Sequence, residues 1–374
     1  MLHFTNTLLL PGHTGPGARR QRGVALVMAL IVAALLAIIV MEFVYSTSID
    51  LAQATRYRDD AQVKLAVNSA QVFAEILLRH DKTRGEDRAF DSLDDIWATA
   101  VIPTAVGEAS IRVTIVDESS KLNLLNLVHP DEEWAARWKE AFVRLCQDVR
   151  EGAESEDYEA LADEIIEYMK EEKQFNLDDD EDIWTGSPIL SIDELSGVGE
   201  LTPAFLYGDQ DEDDPELAQV PGMWDFLTIH SYGAVNINTA PVEIIRCLHE
   251  MITPALAADV VARREEMDEN GERKLIFRGK AELEEVEGME APADPDDFES
   301  DSIYGSVEEL ITSRSAFFLA KIDVTMNEVT RHFRVYYKRV RTELFRISLA
   351  EVQPDRVPLV QQGVDMEEFD PYMR

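Results

Sequence analysis

Cysteine is nearly absent from this chain. Only Cys146 and Cys247 occur among 374 residues, too few for a disulfide framework or a structural zinc site. In an oxidising compartment one bridge between them is possible; two separate buried thiols are the other reading. Positive charge is scarce too: 35 lysines and arginines stand against 73 acids, for a formal net charge of −38. Such a field repels phosphate backbones, so nucleic acid is not expected as a partner. Catalytic signatures are missing as well. The seven histidines show no H-E-x-x-H or paired zinc spacing, and neither G-x-S-x-G nor a P-loop occurs. His230 and Ser231 in LTIHSYG have no acid or nucleophile fixed beside them by motif, so His230 reads as a structural histidine next to a turn and no enzyme is expected. With 45% hydrophobic residues the chain can bury one large core or two modest ones, and two folded units are expected.

Acid is missing from Met1 to Gly23, and glycine and proline are missing from Val24 to Arg79. The first segment is therefore a basic leader ending in Arg19, Arg20, Gln21, Arg22 and Gly23. The apolar run Val24 to Met41 follows without a charge, and at about 1.5 Å per residue it reaches roughly 27 Å, close to the thickness of a bilayer core. No small-residue cleavage site follows it before Glu42, unlike a secretory signal peptide. The positive-inside rule keeps the arginines cytoplasmic and places everything after Glu42 across the membrane. A plain single-pass anchor satisfies the hydropathy equally well.

Beyond the membrane Val63, Val67, Ala70, Ala74 and Leu77 recur at three- and four-residue spacing, with Arg56, Arg58, Asp59, Asp60 and Lys64 on the polar side. This predicts a continuing amphipathic helix with one face against a globular domain. Ile111 to Val116 alternates as a strand, and Leu122 to Leu127 is expected to pair with it through Glu118 to Lys121. After Pro130 the pattern turns helical, with acidic linkers at Asp209 to Glu216 and Glu284 to Asp301 expected to be loops. Strand character returns in FFLAKIDVTM, TRHFRVYYKRV and ELFRISLAEV, broken near Asn327 and Arg341, as an antiparallel meander. The expected class is α+β: a pilin-like long N-terminal helix plus an antiparallel β-sheet assembled from both sides of a large inserted α-helical domain of helix-hairpin-helix or SAM-like type. The expected divisions are leader 1–23, transmembrane helix 24–44, stem helix and first strands 45–128, insertion 129–312, meander 313–352 and a loose tail 353–374. In the insertion, Asn236, Asn238 and Thr239 offer oxygens to cap the helix after them, and Pro241 suits its first turn. Gly197 and Gly199 in SGVGEL give a tight helical hairpin whose acidic flanks Asp193, Glu194 and Glu200 favour packing over phosphate binding.

Several segments carry a family resemblance. Gly23 before the apolar run resembles the site cut by prepilin peptidases, which makes Val24 the new N-terminus and Met28 the fifth residue, where pilin-like proteins usually have glutamate. FDSLDDIWA (Phe90 to Ala98), VTIVDESSKLNLLNL (Val113 to Leu127), ILSIDELSGVGELTPAFLY (Ile189 to Tyr207) and FLTIHSYGAVNINTAPVEIIRCL (Phe226 to Leu248) resemble, in order, segments of the K-type minor pseudopilins of bacterial type II secretion systems (the GspK family). Members of that family lack the fifth-residue glutamate. A buried N-terminal amine is costly unless a neighbour's carboxylate pairs with it, so an apolar Met28 suits a subunit with no earlier neighbour to neutralise.

The resemblance implies a non-enzymatic assembly protein that caps the tip of the pseudopilus, aids its initiation and supports protein secretion across the outer membrane. It implies processing by prepilin peptidase at Gly23 and Val24, methylation of the new N-terminus, and single-pass residence in the inner membrane with the globular part in the periplasm. Implied partners are the I-type and J-type minor pseudopilins and the other pseudopilins of the fibre. Calcium sites in the helical domain are implied as well. Asn176 to Asp182 (NLDDDED) is the densest carboxylate cluster, so Asp178, Asp180, Glu181 and Asp182 are the candidate ligands. They do not form an EF-hand, because that alignment puts Ile183 at the glycine and Ile189 at the final glutamate. The rival reading is a single-pass periplasmic calcium- or ligand-binding protein that keeps its leader and joins no fibre.

Overall fold

A computed structural model of the chain describes residues 18–81, 90–99, 104–150, 158–175, 188–199, 201–208, 221–266, 277–294 and 297–352. The chain divides into two compact units after Gln62. Helix α1 (Ala18–Asp81) makes up the described part of the first unit and continues into the second. From Val24 to Arg58 every residue is exposed, and the helix is long and apolar enough to cross a membrane. Thr47, Ser48 and Thr55 return their hydroxyls to carbonyls four residues back, at 2.8, 2.8 and 2.9 Å, so polar residues continue the helix instead of ending it. Gly23 and Val24 lie inside α1, which begins at Ala18.

In the second unit α1 is amphipathic as its spacing predicts. Val63, Ala66, Val67, Ala70, Ala74, Leu77 and Leu78 are buried, whereas Leu65, Val72 and Ile76 stay exposed. Arg79 and His80 close the helix, where positive charge complements its dipole. A short turn α2 (Ile96–Thr99) sets Trp97 edge-on to Phe318 at 5.1 Å. Strands β1 (Thr104–Val106) and β2 (Ala109–Asp117) form a hairpin through Gly107, whose φ of 63° suits glycine.

Beyond β2 the chain leaves the sheet. The Asp117 carboxylate accepts the Ser119 N–H at 2.8 Å and Asn123 accepts that of Leu125 at 2.9 Å, so two successive 3-10 turns replace the strand expected over Leu122 to Leu127. Only β3 (Leu122–Asn123) is extended. It pairs in parallel with β4 (Leu227–Thr228) rather than with β2.

The insertion follows as α3 (Glu132–Val149), α4 (Tyr158–Phe175) and α5 (Pro203–Tyr207), then β4, β5 (Val235–Asn236), α6 (Val242–Cys247) and α7 (Pro254–Glu265). Asp131 caps α3 by accepting from Glu133 and Trp134, and Trp138, Phe142 and Leu145 fill the core beneath it. Gly197 and Gly199, at φ 96° and 56°, turn the chain between the 3-10 segment Ile192–Leu195 and α5. Both cysteines are buried, and burial pushes the Cys247 thiol up to about 12. The stretch Glu284 to Asp301, expected to be a loop, is organised instead. Leu283, Val286 and Met289 are buried and anchor a hairpin of β6 (Pro292–Asp294) and β7 (Asp297–Ser302), after which come α8 (Ile303–Val307) and β8 (Ile311–Thr312), the parallel partner of β5. The other acidic linker, 209–216, lies outside the described residues, as do the leader up to residue 17 and the tail 353–374.

The meander forms as its alternation predicts: β9 (Phe317–Met326), β10 (Val329–Val340) and β11 (Glu343–Val352). Its turns fall at Asn327, Glu328 and Arg341, all with positive φ. The sheet runs β1-β2-β9-β10-β11 and is antiparallel throughout, so strands from both ends of the insertion meet at the β2–β9 pair. Two apolar cores result in the second unit. One lies between α1 and the sheet around Trp97, Ile322 and Val335; the other lies inside the insertion.

Candidate functional site

The insertion leaves the sheet at the end of β2 and returns just before β9, and polar groups are concentrated there. The Arg339 guanidinium on β10 pairs with the Asp91 carboxylate; the side chains are 3% and 1% exposed. It also donates to the Ser315 carbonyl at 3.2 Å and, from α1, to the Leu78 carbonyl at 3.3 Å. Asp91 accepts the Ser315 N–H at 2.8 Å, and its own N–H donates to the Ser313 carbonyl at 2.9 Å. Burying such a pair is tolerable because both partners are saturated with hydrogen bonds.

Asp117 is the second carboxylate of this junction. It accepts from Ser315 Oγ and Thr239 Oγ1, each at 2.5 Å, and from Asn236 Nδ2 at 3.3 Å. Burial raises its pKa to about 6; the neighbouring Asp91 charge adds to the rise, and the hydrogen bonds oppose it. Asn236 ties the pieces together, donating also to the Asp91 carbonyl at 3.1 Å and to Ser315 Oγ at 2.7 Å, while its Oδ1 accepts the Asn238 N–H at 3.0 Å. Asn238 clamps Phe277 through both backbone groups, at 2.8 and 3.0 Å. Arg264 of α7 holds the carbonyls of Ile237 and Ala240 at 2.8 and 2.7 Å.

The asparagines therefore do not cap α6. Pro241 occupies its N-cap with no side-chain bond, because Asn236 and Thr239 are drawn into the carboxylate network and Asn238 onto Phe277. The NINT segment fastens the insertion to the sheet.

A second contact lies on the sheet face opposite α1. His230 packs against Tyr336 with ring centres 4.2 Å apart, Arg334 covers Trp224 at 5.0 Å, and Lys338 lies 5.0 Å from Tyr232 and 5.3 Å from Phe317. Beneath it the Glu118–Lys121 pair, 2.8 Å, also takes the Thr228 hydroxyl. Burial lowers the His230 pKa, with the Glu118 charge opposing. His230 is thus a half-buried ring packed on the sheet beside a turn.

The candidate calcium ligands Asp178, Asp180, Glu181 and Asp182 lie outside the described residues. Among the described residues no group of three His, Cys, Asp or Glu side chains stands close enough to hold a metal ion.

The family model of the type II secretion system (T2SS), protein K, matches residues 235–301, a stretch that opens on β5 and the NINT segment. A chain of the crystallised GspK-GspI-GspJ complex from the enterotoxigenic Escherichia coli type 2 secretion system aligns with 80% of this chain and 99% of its own length, at a TM-score of 0.54 and 16% identity. Residues 235–301 are thus similar to protein K of type II secretion systems, and the fold of the chain is similar to that of a chain in the GspK-GspI-GspJ complex. No curated protein sequence matches the chain. At 16% identity the structural likeness speaks for the fold alone, a long N-terminal helix with an antiparallel sheet and further helices. Among the described residues one helix, at the N-terminus, is long and apolar enough to cross a membrane, which fits a single-pass anchor.

Three of the four K-type segments meet at the junction. FDSLDDIWA supplies Asp91, VTIVDESSKLNLLNL supplies Asp117, and NINT supplies Asn236 and Thr239. Sequence reasoning recognised each segment but missed their convergence and missed Ser315 and Arg339 altogether. An aspartate ending a strand, followed by a capped turn, was the one available signal.

Proposed function

We propose that this chain is the K-type minor pseudopilin that caps the tip of a type II secretion pseudopilus and helps initiate the fibre. The observation that carries the reading is the division of labour on α1. In the second unit one face of the helix is buried by the chain's own sheet, while Leu65, Val72 and Ile76 remain exposed at seven- and four-residue spacing on another. That is the spacing by which a second helix packs along a first. The neighbours this reading supplies are the stem helices of I-type and J-type subunits. The large insertion between β2 and β9 adds bulk that a helical stack meets at every repeat except its end. The apolar Met28 suits the same terminal place.

Processing at Gly23 and Val24 by prepilin peptidase, methylation of the new N-terminus and residence in the inner membrane belong to this reading. So does calcium on Asp178, Asp180, Glu181 and Asp182, which titration calorimetry on the purified chain tests by heat at millimolar calcium or its absence. The deciding experiment is the intact mass and N-terminal sequence of membrane-extracted protein made with and without its prepilin peptidase. A chain beginning at Val24 and heavier by one methyl group is expected. A chain still starting at Met1 in the presence of the peptidase would replace the fibre reading with the anchored binding protein.

A further inference from the structure

The two edges of the sheet end differently. β1 is three residues long, whereas β11 offers ten residues whose outer side pairs with no strand among the described residues. A long unpaired row of N–H and C=O groups is a template for another strand unless proline, lysine or shortness blunts it. β11 has neither proline nor lysine. It keeps Phe345, Ile347 and Leu349 at 51%, 44% and 43% exposed. Ile347 is the extra residue of a bulge, since Tyr336 faces Ser348 and Tyr337 faces Arg346, so it has no partner across the ladder.

Charge sets the β10–β11 hairpin, though not β11 by itself, apart from the acidic average of the chain. From Arg331 to Arg346 six arginines and lysines stand against Glu343 alone, in a chain of net charge −38. Arg339 is engaged by Asp91 and Arg334 by Trp224. Lys338, opposite Phe345 in the ladder, lies against Tyr232 and Phe317, and Arg331 is paired with Glu351 of β11, which leaves Arg341 and Arg346 flanking the edge, with Arg346 also donating to Gln71 at 2.6 Å.

We propose that the outer edge of β11 docks an extended, acidic segment of a neighbouring fibre subunit, which adds to the sheet as one further strand. This rests on the pseudopilin reading above and supplies the surface it leaves open. Main-chain pairing provides the affinity, and the side chains on the two faces provide the choice of partner. The segment's carboxylates meet Arg341 and Arg346, and its apolar residues cover Phe345 and Leu349. Placing acid against Arg341 and Arg346 also steers the encounter and rejects basic strands.

The test uses the full chain, made in membranes with its I-type and J-type partners and its peptidase. Photoreactive benzoylphenylalanine replaces Phe345 or Leu349, and separately Leu65 on the stem. The expected result is a crosslink from positions 345 and 349 to an acidic segment of a fibre subunit. Combining Arg341→Glu with Arg346→Glu lowers that yield about tenfold or more while the Leu65 crosslink persists. If Leu65 crosslinks but positions 345 and 349 capture nothing, a basic segment, or only residues 353–374 of their own chain, the docking proposal is overturned and the pseudopilin reading stands. If no position, Leu65 included, reaches a fibre subunit, the reading beneath it fails as well.

Discussion

The insertion is held to the sheet at two places, and they are built in opposite ways. At the polar junction Asp91, Asp117, Asn236, Ser315 and Arg339 are all nearly inaccessible, and every link is directional. On the other side Trp224, His230, Tyr232, Tyr336 and Lys338 meet mostly as rings and cations that stay partly exposed. A directional network forfeits a great deal when one member is lost, because the remaining charges are stranded away from water. A stacked contact degrades gradually, because each cation can turn back to solvent. The first joint sets the geometry of the insertion; the second adds adhesion.

Four measurements sharpen or break that contrast. The largest effect is expected from Arg339→Ala, which leaves the Asp91 charge buried without its partner. About 3–5 kcal/mol of stability should go, read as a shift of the denaturant midpoint of the detergent-solubilised chain. A loss no larger than that of Lys338→Ala would erase the distinction between the joints. Next comes pH. Asp117 has its pKa raised from 3.8 to about 6 in the folded state, so the folded chain holds this proton where the unfolded chain has released it. Its contribution is fully present below about pH 4 and is lost as pH rises through about 6, in total roughly 3 kcal/mol. Asp117→Asn should flatten that part of the stability profile, whereas an unchanged slope would assign it to other groups.

Asn236→Ala is expected to cost about 1–3 kcal/mol, because it removes the shared donor and leaves acceptors at Asp91, Asp117 and Ser315 short of a partner. Hydrogen exchange should then rise together at β5 and at Ser313 to Ser315; a rise confined to β5 would mean the network is not cooperative. Smallest is Lys338→Ala, at about 0.5–1 kcal/mol from two exposed cation–ring contacts.

The sheet and stem were largely legible before the structure. Period-two alternation in β9, β10 and β11 and the three- and four-residue spacing after Val63 are local signals, each read within ten to twenty residues. The insertion was legible only as helical. Its two parallel contacts, β3–β4 and β5–β8, are two residues long and leave no periodicity to detect. Leu122 to Leu127 misled for a related reason: its apolar residues suit a strand, but the side chains of Asp117 and Asn123 bend the backbone into turns. Glu284 to Asp301 looked like an acidic linker because Leu283, Val286 and Met289, which anchor it, are few among many charges.

The sequence alone determined that a helix of membrane length leads the chain, that one face of its outer part is buried, and that a three-stranded meander closes the sheet. Those properties follow from spacing along a single segment. Tertiary structure alone decided that Asp91, Asp117, Asn236, Ser315 and Arg339 form one network, since its members lie up to 248 residues apart, as Asp91 and Arg339 do. It also decided that Asn236 and Thr239 bind a carboxylate instead of capping a helix. A polar side chain in sequence has many possible partners, and only the folded chain brings one within hydrogen-bond reach while taking water away.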